Sequence, residues 1–232
     1  MVIIFYEGND LSDLRNEYAA LVQYHETGHR DYRQFKTQTS MLKALFTIVQ
    51  TRRSNKRANT VHAQFKSAYG DIPISIGDTP PDKAEVLAET MQQLEYFFRK
   101  YVEFAKRKEI KAWLAYMPCK LRVVYGHIEF TQGATESQKK WKPSDLPQAI
   151  SEISDRYGIE FIDLTPALVE ETNSSGELLY NSISDTHLNS RGSLVVAKEL
   201  ARHLSAPNGS LSRRGASRRA SIRGAVTEAL VH

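Results

Sequence analysis

Val2-Ile3-Ile4-Phe5-Tyr6 runs without a break into Glu7-Gly8-Asn9-Asp10. Five consecutive apolar residues, β-branched and aromatic, read as a strand buried on both faces, as in a parallel sheet, because a half-exposed strand would alternate. A strand that stops at Gly-Asn-Asp delivers an amide side chain to the rim of that sheet. Working outward, residues 11–24 place Leu14, Tyr18, Leu21 and Val22 at near-helical spacing. Residues 39–50 do the same with Leu42, Leu45, Phe46 and Val49. Residues 51–69 are polar and basic with weak periodicity and read as a surface excursion. A short edge strand follows at 72–76.

Thr79-Pro80-Pro81-Asp82 opens the longest expected helix, 81–108, since proline suits a first helical turn. Its apolar stripe includes Leu87, Met91, Leu94, Phe98, Tyr101 and Ala105. The strand 110–117 comes next and is stopped by Pro118, so helix and strand together form the second half of a βαβ crossover. Residues 122–130 and the polar stretch up to Pro143 read as a loop over the carboxyl ends of the strands. Ser144-Asp145 caps a helix that runs through Tyr157 and is closed by Gly158. A strand at 159–164, a short helix from Thr165-Pro166 to Glu171, a turn at 173–176 and a last helix at 189–204 complete the pattern. The expected fold is a single α/β domain over residues 1–205, three-layered, with a parallel sheet between helices. Residues 206–232 are rich in Ser, Arg, Gly and Ala and offer little apolar area to offset ordering entropy, so a disordered tail is expected there.

The composition is that of a globular chain: 232 residues, 41% hydrophobic and 25% charged. The net charge of +4 is carried entirely by the tail, which has five arginines and one glutamate, so the folded part is near neutral and no basic partner-seeking surface is implied for it. The single cysteine, Cys119, excludes an internal disulfide and fits a reducing compartment. No apolar stretch is long enough to span a bilayer, and no basic-then-apolar secretory signal stands at the start.

Two short motifs carry chemistry. In Asp185-Thr186-His187 a carboxylate two residues before an imidazole can bond its second ring nitrogen, fixing the tautomer and stabilising the imidazolium. Leu188-Asn189-x-x-Gly192 after it would pin that loop to the start of the last helix. In Glu7-Gly8-Asn9-Asp10 the Asn9 amide can donate to an oxyanion, with Gly8 allowing backbone access. Each motif also has a purely structural reading, an Asp-Thr capping turn beside an incidental histidine and a strand-to-helix turn with an Asn or Asp cap.

Together they resemble the SGNH (GDSL-like) hydrolase family. The first is similar to that family's Gly-x-Asn-Asp block, whose Asn lines the oxyanion hole, and the second to its closing Asp-x-x-His block. Tyr116-Met117-Pro118-x-Lys120 and Val124-Tyr125-Gly126 are similar to a strand-end segment of bacterial relatives, and the resemblance spans residues 1 to about 204. It implies an acyl esterase with His187 as base, Asp185 as its orienter, Asn9 and Gly8 at the oxyanion and Tyr125 near the substrate. The substrate would be a small acyl ester or an acylated carbohydrate or lipid. Glu7 stands where the family has Gly, and the Asp–His spacing is one residue short, with Ser184 at the longer spacing. The family's nucleophilic Gly-Asp-Ser block and the block after it both precede Gly-x-Asn-Asp, and no room for them exists ahead of residue 8. Gly77-Asp78-Thr79, Ser190 and Ser193 are poor substitutes by order and position. The expectation is a chain truncated at its amino end, inactive as written, with Val2–Tyr6 left as an open sheet edge. The alternative is a non-catalytic remnant that binds an acyl or glycan ligand.

The resemblance implies no cofactor and no metal. His25 and His29 have ligand spacing without an evident third ligand and read as a polar helix end. Cys119 reads as a buried structural thiol, and the Arg213-Arg214 and Arg218-Arg219 runs as a solvated tail, with no nucleic-acid partner expected. Full-length relatives of this type are often exported or membrane-anchored, which leaves the compartment open.

Overall fold

The structure, a computed structural model, describes residues 1–8, 10, 11, 13, 14, 18, 22, 26, 27, 60–77, 79, 80, 88–183 and 186–205. The expected helix at 39–50, the histidine pair His25 and His29 and the tail from 206 lie outside the described residues. Within them the chain is mixed α/β. Three strands, β1 (Val2–Tyr6), β4 (Trp113–Met117) and β6 (Glu160–Asp163), form a parallel sheet in the order β1-β4-β6. The register pairs Tyr6 with Met117 and Tyr116 with Asp163, so all three strands finish on one rim. A second, antiparallel sheet has the order β3-β2-β5, from β2 (Ala63–Ser67), β3 (Gly70–Ile74) and β5 (Ile128–Phe130).

Six helices are described: α1 (Ala88–Arg107), α2 (Lys120–Val124), α3 (Glu136–Lys140), α4 (Leu146–Tyr157), α5 (Thr165–Ser175) and α6 (Ser190–Ser205). Helix α1 forms because Leu94, Phe98, Tyr101 and Ala105 recur on one face, and all four are buried. Helix α4 carries a proline in its first turn and stops at Gly158, whose φ of 67° lies in the left-handed region that glycine adopts freely.

Alternate residues of the central strand face opposite ways. Leu114 and Tyr116 pack with Phe98 of α1 and Ile150 of α4. Ala115 packs with Leu168 of α5, Val196 of α6 and Phe65 of β2. The Tyr101 hydroxyl donates to the Met1 carbonyl (2.7 Å) and accepts from the Trp113 amide (3.0 Å), fixing where β1 and β4 begin.

Four expectations are corrected. Residues 51–69 are not all surface excursion: Ala63–Ser67 is the middle strand of the second sheet, with Ala63 and Phe65 fully buried. Alternation over only five residues is too short to stand out beside the preceding basic stretch. Residues 122–130 are not a loop: α2 continues to Val124, a 3₁₀ turn covers Tyr125–His127, and β5 follows. Helix α5 passes Glu171 and ends at Ser175, so the turn begins only at Gly176, whose φ is 64°. Finally, β1 is not buried on both faces. Among the described residues it pairs only with β4, and Ile4 is 50% exposed.

Candidate functional site

The carboxyl rim of the parallel sheet gathers Glu7-Gly8 after β1, Pro118-Cys119-Lys120 after β4 and Leu164 after β6. Ligands of open parallel sheets bind at such a rim, because the connections there diverge and leave a crevice. The rim here is held by buried charge. The Glu7 carboxylate, 1% exposed, accepts from Arg122 Nε (2.7 Å), from Arg122 Nη2 (2.5 Å) and from the Cys119 amide (3.0 Å). Arg122 Nη1 continues to the Ser144 carbonyl (2.9 Å), and the guanidinium lies over the Trp141 ring at 5.7 Å. One ion pair thus joins the end of β1, the start of α2 and the approach to α4. Burial, with the Glu7 charge beside it, pushes the Cys119 thiol well up, so this cysteine stays protonated and inert.

Gly8 sits under its own neighbour. A Cβ added there would lie 2.4 Å from the Tyr6 ring, so only glycine admits this ring position. Tyr6 uses that position to reach across the rim towards the Thr186 side chain; burial raises the pKa of the phenol, and the neighbouring Thr186 side chain opposes the rise. The Tyr6 amide donates to Asp10 Oδ2 (2.7 Å), and burial raises the pKa of that carboxyl.

The loop bearing His187 is pinned as its sequence predicts. Asn189 Oδ1 accepts from the Gly192 amide (3.0 Å), the N-cap bond of α6. Asn189 Nδ2 donates to the Leu178 carbonyl (2.7 Å), and the Asn189 amide to that of Leu179 (3.0 Å). A Cβ on Gly192 would come within 2.2 Å of the Leu179 carbonyl oxygen, which is why glycine stands there. The Asn181 amide donates to the His187 carbonyl (2.9 Å), closing the loop at its base.

A second tether comes from the strand exit after β3. The Ser75 amide donates to the Ser182 carbonyl (2.8 Å), and the buried Lys120 ammonium bonds the carbonyls of Ser75 (2.9 Å) and Ser182 (3.4 Å). His62 Nδ1 accepts from the Ile76 amide (2.8 Å). Gln138 Nε2 donates to the carbonyls of Ile76 (3.2 Å) and Gly77 (3.1 Å). Gly77 then meets the Thr186 methyl, 2.9 Å from where a Cβ would be. Thr186 is therefore clasped between Tyr6 and Gly77.

His187 itself is exposed at the surface of this clasp. Asn9 and Asp185 lie outside the described residues. Tyr125 is half-buried at the end of α2, where its ring meets Trp141 edge-on at 5.8 Å; none of the described contacts joins it to Gly8 or His187. Of the predicted positions, the flanks of the two motifs are brought together and Tyr125 is placed on the Trp141 side.

Sequence reading missed Tyr6, Lys120 and Arg122 as parts of this rim. The available signal was charge inside apolar runs, in Lys120-Leu121-Arg122-Val123-Val124, and a carboxylate directly after a core strand. Chemically the arrangement offers an accessible imidazole on a fixed loop beside a glycine turn at a sheet rim, the parts needed to move a proton and to let backbone amides approach a bound group.

No family model, no curated protein and no solved structure matches the chain. Among the described residues no helix is long and apolar enough to cross a membrane.

Proposed function

We propose that residues 1–205 form a three-layer α/β/α domain of SGNH type carrying the base and oxyanion half of an ester-hydrolase site. In this reading His187 takes the proton of an attacking serine hydroxyl and Asp185 orients the imidazole. The Asn9 amide and the backbone at Gly8 stabilise the tetrahedral oxyanion, each such donor contributing about 3–4 kcal/mol. The substrate is a small acyl ester or an acylated carbohydrate or lipid. The observation that carries the reading is the approach of the Thr186 side chain to Tyr6, which brings the flanks of two motifs from opposite ends of the sequence near each other.

The sequence contains no Gly-Asp-Ser, so in this reading residues 1–232 alone turn over no ester. The test compares this chain with a form extended by the in-frame codons upstream of Met1, using short-chain p-nitrophenyl esters. Upstream codons for Gly-Asp-Ser, hydrolysis by the extended form alone, and a loss of at least about hundredfold on His187→Ala are expected. Hydrolysis by the short form, indifferent to His187→Ala, overturns the reading. An upstream region without such codons removes the hydrolase and favours a domain that binds its acyl or glycan ligand without turnover.

A further inference from the structure

Beside the His187 loop lies a groove of about 700 Å³ that none of the motifs explains. One wall is the tip of the β2–β3 hairpin, the other the segment from Glu177 to Ser182 with Asn189. The tip is held in place. The Ala68 amide donates to the Gly176 carbonyl (3.0 Å), and a Cβ on Gly176 would meet the Ala68 Cβ at 2.8 Å. The Tyr69 amide donates to Ser67 Oγ (2.9 Å), and Gly70 takes a φ of 118° to close the two-residue turn. The result is an aromatic ring 83% exposed on a fixed support at the rim of the groove.

The lining decides the chemistry of what fits. Among the described residues it holds two carboxylates, Asp71 and Glu177, and no lysine or arginine. The cations that balance them stand outside the lining: Lys66 on Asp71 (2.7 Å) and Arg191 on Glu177. A phosphate or fatty-acid carboxylate would meet negative charge without a cationic partner in the wall. A long acyl chain would desolvate the Asp71 and Glu177 carboxylates and the Ser182 hydroxyl without offering them a hydrogen-bond partner. A neutral polyhydroxylated ligand suits the groove. Carboxylate oxygens already oriented by ion pairs accept hydroxyl hydrogens, the Ser182 hydroxyl donates or accepts, and the apolar face of a sugar ring lies against Tyr69. Asn181 is a groove wall and, through its amide, the base of the His187 loop.

We infer that this groove binds a neutral saccharide, with Tyr69 as the stacking platform. The inference deepens the ester-hydrolase reading and rests on it for one point: the saccharide is then the alcohol half of the ester, presented towards His187. Binding needs no nucleophile and is measured on the chain as it is. Cellotetraose, xylotetraose, mannotetraose and chitotetraose are titrated into the 232-residue chain and followed by calorimetry and by amide NMR shifts. At least one saturates with a Kd of about 1 mM or tighter. Tyr69→Ala weakens it by about tenfold, while Tyr69→Phe, which keeps the ring, binds as the parent does. The exposed position of Tyr69 keeps both variants folded. No saturation by any of the four at about 10 mM, or equal affinity in Tyr69→Ala, overturns the inference. Saccharide binding without ester hydrolysis by the extended form leaves the groove standing and removes the hydrolase; hydrolysis without saccharide binding does the reverse.

Discussion

Arg122→Met tests whether buried charge holds the rim. In the parent the Glu7 carboxylate accepts from Arg122 at 2.5, 2.7 and 2.9 Å and from the Cys119 amide at 3.0 Å. The glutamate side chain has no exposure and the arginine 6%. Methionine fills the volume but leaves the carboxylate buried with the Cys119 amide as its remaining partner among these four bonds. Breaking a buried pair from one side costs about 3–5 kcal/mol, against a total stability of about 5–15 kcal/mol for a domain. With a urea slope of about 2 kcal/mol/M, the midpoint falls by about 2 M. Arg122→Lys keeps the charge but loses the two-pronged geometry and falls part of the way. Removing both charges in Glu7→Leu/Arg122→Met restores much of the loss, because no unpaired charge is left inside. Urea unfolding followed by circular dichroism reads all four proteins. A midpoint shift below about 0.5 M for Arg122→Met, or a double variant weaker than Arg122→Met, refutes the reasoning.

His62 supplies a pH dependence. Burial, and then the nearby Lys120 charge, lower its pKa, and its Nδ1 is occupied by the Ile76 amide. The unfolded chain therefore binds the proton more readily, so stability is full above about pH 6.5 and declines as pH falls from there towards the lower folded-state pKa; His62→Gln flattens urea midpoints measured across that window, and an unchanged slope contradicts the assignment. Gly192→Ala drives a methyl into the Leu179 carbonyl oxygen at 2.2 Å and costs about 1–3 kcal/mol, visible as a lower thermal midpoint. Among the described residues β1 pairs only with β4, and its exposed Ile4 lies beside a groove of about 330 Å³. Ile4→Lys reduces self-association in light scattering, since charge on an edge opposes strand pairing.

The parts of the fold that were legible are those where one local rule decides. Pro118 stops β4, Gly158 closes α4, and the Leu/Phe/Tyr stripe predicts α1. The Asn189-x-x-Gly192 pinning was legible too, because an N-cap and a glycine contact are both short-range. The second sheet was legible only in its edge strand, expected at 72–76 and found at Gly70–Ile74. Its strands are three to five residues long, and Phe65 and Ile74 become core only when β5, from a distant part of the chain, pairs with β2. The apolar run of β1 suggested burial on both faces, since such a run reports burial potential and not the number of neighbours; its edge position was anticipated only through the family resemblance. At the site, the motifs gave residue types, but what joins them is Tyr6, which looks like one more core aromatic until Gly8 leaves room for its ring. The Lys120 and Arg122 tethers show in the sequence only as charge inside an apolar run, because their partners, backbone carbonyls and a carboxylate, are remote along the chain.

The central claim is that the turn after β1 and the loop before α6 share one rim. Proton NMR of the folded chain measures this directly through cross-relaxation between the Tyr6 ring and the Thr186 methyl, and between the Asn9 side-chain amide and the His187 ring. The account predicts the first cross-peak strong and the second present, with the first surviving in Tyr6→Phe at reduced intensity. A Tyr6 ring without any cross-peak to Thr186, in a chain whose Tyr101 and Trp113 signals still report the native sheet, contradicts it.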